Sequence, residues 1–82
     1  MAHITVPTEG RPLEQLDSGD ILVGIDGNAF VVMATTAKAL RRAGASKAFE
    51  DAYRAEAMSG DYDHLLATSM AYLDADINYD ES

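Results

Sequence analysis

Residues 28–44 read NAFVVMATTAKALRRAG, and whether this stretch is one helix decides the fold. Between Ala29 and Ala43 neither glycine nor proline interrupts it. Asn28 stands where a helix needs a side-chain acceptor for its first free amides, and Gly44 where a left-handed residue closes one. Phe30, Met33, Ala34, Ala37, Leu40 and Ala43 recur at three- and four-residue intervals, which marks one apolar face. Arg41 and Arg42, with Lys38 just before them, suit the negative end of the helix dipole. The stretch therefore predicts a helix, and the remaining chain is read by what that helix can pack against.

Toward the C-terminus, Ser46 is placed to cap a second helix over Lys47–Met58, with Phe49, Ala52, Tyr53 and Ala57 or Met58 facing inward and Gly60 as its stop. A third helix is expected from Tyr62 to Leu73, with Leu65, Leu66, Ser69, Met70 and Leu73 inward and Tyr62 and Tyr72 at the flanks. Short connections force the three to bury their faces against one another. Toward the N-terminus, residues 1–28 read as an arm. Its β-branched runs Ile4-Thr5-Val6 and Ile21-Leu22-Val23 are candidates for a short two-stranded element, with one helical turn between them. The fold class is mainly α, a compact three-helix bundle with an N-terminal extended arm. Its parts are the arm (1–28), the bundle (29–74) and an acidic tail (75–82). So short a chain has a thin core, and either the arm or a second copy is expected to cover what the helices leave open.

The net charge is −8, and it is unevenly placed. Residues 1–28 carry one base against five acids, residues 29–60 five bases against three acids, and residues 61–82 six acids and no base. Such a field repels a phosphate backbone, so direct nucleic-acid binding is not expected. No cysteine is present, which removes disulfides, thiolate metal sites and thiol chemistry. No apolar run approaches the roughly 20 residues of a membrane span, and the N-terminus lacks the pattern of a secretory signal. No membrane partner is expected, and the cytoplasm is the expected location.

Residues 58–66, MSGDYDHLL, are the densest group of chemically able side chains. Asp61, Asp63 and His64 resemble a metal set, but Asp61 and Asp63 lie about 200° apart on a helix. Capping explains them more simply, with Gly60 ending one helix and Asp61 starting the next. Tyr62 and His64 are left over by that account. The tail residues Asp74, Asp76, Asn78 and Asp80 imitate the start of a calcium loop, but Tyr79 replaces the required glycine and no closing glutamate follows at the right place. GIDGNAF, residues 24–30, lacks both nucleotide-loop fingerprints. The serines have only His3 and His64 as potential bases, and none lies in a nucleophile-elbow pattern. No residue set calls for a cofactor or metal, and no catalytic activity is expected.

The segments DGNAFVVMATTAKALRRAG and EAMSGDYDHLL resemble those of short acidic proteins encoded by tailed bacteriophages, over roughly residues 26–73. That resemblance implies a phage origin and host-cell cytoplasm, and it brings no activity with it. The expectation is a non-catalytic protein that binds a host or phage protein through acidic surfaces, with a homodimer as a further possibility. The alternative is a binder of an anionic metabolite or nucleotide, held between Asn28 and the Arg41–Arg42 pair across a homo-oligomer. Candidate binding residues are Asn28, Arg41, Arg42, Tyr62, Asp63 and His64.

Overall fold

The computed structural model describes residues 4–24 and 28–74. The tail at 75–82 and the glycine break at 27 lie outside them. Four helices follow in order: α1 (Ser18–Ile21), α2 (Ala29–Arg42), α3 (Lys47–Ala57) and α4 (Tyr62–Asp74), with no strand among the described residues. α2, α3 and α4 each pack on the other two, and α1 rests against α2 and α4. No helix among the described residues is long and apolar enough to cross a membrane.

The helix boundaries follow their caps. The Asn28 side chain accepts from the amides of Phe30 (2.8 Å) and Val31 (3.4 Å), and Ser46 Oγ accepts from Phe49 N at 3.1 Å. At the end of α2 the amide of Gly44 reaches Arg41 O (3.1 Å) and that of Ala45 reaches Leu40 O (3.0 Å). That double closure needs a left-handed residue, and Gly44 supplies it at φ +101°.

The arm follows the α2–α3 connection rather than standing free. Ala43 O accepts from Leu13 N (2.7 Å) and Glu14 N (3.2 Å), and Gly10 O accepts from Ser46 N (2.9 Å). The expected two-stranded element does not form. Ile21 closes α1 and Leu22 caps it in a helical conformation, because Asp17 accepts from Gly19 N and starts a turn there. Ile4 and Val6 instead pack, half-buried, on the helical core. The same turn ties the arm to the far end of the chain, since Asp74 accepts from both Ser18 N (2.9 Å) and Ser18 Oγ (2.8 Å).

The core differs in detail from the apolar spacing. On α2 the buried residues are Val32, Thr36, Ala37 and Leu40, while Phe30 is 82% exposed and Ala34 is also exposed. On α4 they are Leu65, Thr68, Ser69, Tyr72 and Leu73, while Met70 is exposed. Both faces are turned by about 60–70° from the expected stripe, toward the hydroxyl-bearing side chains. For α4 the reason is visible, since Thr68 Oγ1 donates to His64 O (2.7 Å) and Ser69 Oγ to Leu65 O (2.9 Å), whereas on α2 Thr36 Oγ1 is buried with no hydrogen-bond partner among the described residues. A hydroxyl satisfied by its own helix packs as a small apolar group. The space so made admits Tyr72, which was expected at the flank. It lies edge-on to Phe49 (centroids 5.2 Å apart) and to Tyr53 (5.4 Å), and Tyr53 Oη pairs with Ser69 Oγ at 2.6 Å. Burial, with the Glu56 charge adding to it, pushes the Tyr72 phenol up.

Candidate functional site

α2, α3 and α4 pack pairwise, and their two junctions, α2–α3 and α3–α4, are finished differently. At one end the start of α2 meets the α3–α4 turn. There Ala29, Met33, Ala57, Met58, Tyr62 and Leu65 line an open groove of about 270 Å³. Met58 is 67% exposed and Tyr62 36% exposed beside it.

Phe30 shows what this end lacks. On a helix, positions 30 and 37 lie within about 20° of each other, two turns and roughly 10 Å apart. Ala37 is fully covered, yet Phe30 is among the most exposed apolar side chains of the chain. The direction is a packing direction in both cases. Only the cover differs: Ala37 is enclosed, and Phe30 is left open to water. Met58 and Tyr62 face water in the groove, and Phe30, next in the chain to Ala29 of its wall, faces water as well; exposed apolar groups gathered in this way mark contact surfaces. Asp61 belongs to the lining and is exposed, as is Asp63 two residues on, so the turn beside the groove is acidic.

Residues 58–66 form the floor of this end, and the cap reading of Asp61 fits its geometry. Asp61 Oδ1 accepts from His64 N at 2.9 Å, and Asp63 lies exposed in the first turn. His64 turns back to α3, with Nε2 at 2.8 Å from Glu56 Oε2, 3.1 Å from Glu56 O and 3.3 Å from Ser59 Oγ. A serine, a histidine and an acid in contact suggest a proton relay. In a relay the acid and the nucleophile occupy opposite ring nitrogens, whereas here both face Nε2. Ser59 Oγ moreover donates to Glu56 O at 2.7 Å. The cluster fastens α3 to α4 and leaves Ser59 unactivated. Among the described residues, no three His, Asp or Glu side chains converge in a way that holds a metal.

The other candidate residues lie elsewhere. Asn28 is a cap, and thirteen residues of helical rise, about 20 Å, separate it from Arg41. One small anion therefore cannot touch both within a chain. Arg41 is a structural clamp, giving Glu50 two hydrogen bonds (3.2 and 3.0 Å), while Arg54 adds two more (3.3 and 3.0 Å). The Arg41 hydrogen bond foremost, with Arg54 assisting and burial opposing, holds the Glu50 carboxyl down at about 2. Arg42 lies apart from this clamp, exposed on another face of α2.

Of the six residues singled out in the sequence, the structure places Tyr62, Asp63 and His64 at the groove end, with Asn28 one residue before its Ala29 wall. Phe30 belongs to the expected inward stripe but lies on the surface, and of the alternatives Ala57 or Met58 it is Ala57 that is buried and Met58 that is exposed. The signal for Phe30 was present in the spacing, because it falls in the first turn, where a helix most easily outruns its neighbours. No family model matches the chain, and no curated protein or solved structure matches it.

Proposed function

We propose that this is a non-catalytic, phage-type binding protein that acts in the host cytoplasm by docking a host or phage protein onto the open end of its bundle. The observation that carries the reading is the exposure of Phe30 in a direction where Ala37 is fully buried. Asp61 in the groove lining, with Asp63 exposed two residues on, favours a partner of matching chemistry: an apolar side chain for the groove, flanked by Lys or Arg. A second copy of this chain fits less well, since a dimer through this end would set the two acidic turns together on chains of charge −8.

The test is capture from bacterial lysate at low salt by the wild type and by a Phe30→Ser, Met58→Ser double variant. Both positions are exposed, so the variant keeps its stability within about 0.5 kcal/mol per site. A partner held by the wild type and lost to the variant supports the reading, as does its release by salt. Equal capture by both proteins, or none by either, overturns it.

A further inference from the structure

The chain has six basic residues and fourteen acids, so a cation without an acidic neighbour is unexpected. Arg41 and Arg54 are bound to Glu50, Lys47 lies 3.4 Å from Asp51, and Arg11 Nε donates to Pro7 O at 2.9 Å. Lys38 and Arg42 have no hydrogen-bond or ion-pair partner among the described residues, and both line the same trough. It runs between α2 and the arm, with a volume of about 450 Å³, inside the range of small-molecule sites. Leu16, Ile21 and Ala39 form its apolar floor, Thr35 adds a hydroxyl on the α2 wall, and Glu14 stands on the opposite rim.

The helix dipole accounts for only one of the two. The dipole acts within the last turn, which contains Arg42 but not Lys38. Two like charges four residues apart on a helix repel, and an anion placed between them removes that cost. From this arrangement we infer that the trough binds an anionic amphiphile: one carboxylate or phosphate head on an aliphatic chain. Lys38 and Arg42 take the head, one helical turn apart, and Leu16, Ile21 and Ala39 take the chain. The described lining holds no aromatic ring to stack on a base, which favours an aliphatic body over a nucleotide. Glu14 limits the charge that the head can carry comfortably. The site shares no residue with the open end and stands or falls independently of docking there.

The experiment is an amide NMR titration of the full chain with octanoate and with octyl phosphate, against 1-octanol and inorganic phosphate as controls. At least one of the two amphiphiles should give saturable shifts at Ile21, Thr35 and Ala39, and the tighter one identifies the head group. The controls, lacking either charge or chain, should bind roughly tenfold more weakly or not at all. A Lys38→Gln, Arg42→Gln double variant should weaken binding by roughly tenfold, because each position is exposed and carries a charge-assisted contact. Glu14→Gln should tighten it, which a purely apolar trough would not show. Binding by neither amphiphile, shifts centred on Met33 and Tyr62, or unchanged affinity in the double variant would overturn the inference.

Discussion

The two ends of the bundle are built from the same parts and finished differently. Each has a short turn between packed helices, a glycine and a capping side chain. At the α2–α3 end the arm lies over the turn, Ala43 O takes two of its amides, and Glu50 is held by two guanidiniums. The Asp74–Ser18 bonds fasten α1 to the last residue of α4. At the α3–α4 end the described chain brings no such cover, and Phe30, Met58 and Tyr62 face water. The described arm closes one end. The difference indicates where stability is concentrated and where a partner has something left to bury.

The largest effect is expected where the covered end depends on a single backbone conformation. Gly44→Val places a branched side chain at φ +101°, with the new Cβ 2.9 Å from Leu13 Cγ. The exposed Leu13 side chain can turn away, but its Cβ, 3.2 Å from the new atom, is held by the tethered backbone. A loss of about 2–3 kcal/mol is expected from the left-handed conformation and the contact together. It is read as a lowered urea midpoint at unchanged slope. A neutral result would mean that the arm does not hold this end, and the contrast would fail.

A smaller effect, with a pH signature, belongs to the clamp. The Glu50 carboxyl lies at about 2 when folded, below the ordinary value of about 4.3. Its contribution is therefore complete above roughly pH 4.3 and is lost as pH falls toward 2. Glu50→Gln should cost about 1–2 kcal/mol at neutral pH, at the low end for a buried acid because both guanidiniums reach water. Acid titration of stability checks the assignment. The variant should lack the part of the decline that the wild type shows across that window, and parallel curves would place the acid sensitivity elsewhere.

Much of this was legible in the sequence, and the division has a physical pattern. Caps act within four residues, so Asn28, Ser46, Asp61 and Gly44 announce themselves locally. Helix faces are less local. The stripe of Phe30, Met33 and Ala34 looks more apolar than that of Val32, Thr36 and Leu40, yet the second is buried. Hydrophobicity ranks threonine and serine as polar, and that ranking fails once Thr68 and Ser69 bond back to their own helix. The arm was the least legible part. Its contacts run from its backbone and from Ser18 to residues up to 56 positions away, and nothing periodic marks them. Lys38 and Arg42 were visible as a basic cluster with Arg41, but only Glu50, brought in by α3, separates the clamped arginine from the other two cations.

The smallest effect tests the weaker end. His64 is the counterpart of the Glu50 clamp, since it ties α4 to α3 through Glu56 at 2.8 Å, and its side chain is only 16% exposed. The groups it leaves on removal are better placed than those around Glu50. Glu56 is 36% exposed and can rehydrate, and its carbonyl keeps the Ser59 hydroxyl at 2.7 Å. His64→Ala should therefore cost about 0.5–1 kcal/mol, the net worth of one ordinary hydrogen bond. Hydrogen exchange locates the loss: the amides of His64 and Leu65, which Asp61 holds, should exchange faster, while those of Leu13 and Ser46 keep their protection. A cost equal to that of Glu50→Gln, or faster exchange at both ends, would mean that the bundle opens as one unit. Faster exchange at the groove alone would show that the end with apolar surface to offer is also the end free to rearrange around what it binds.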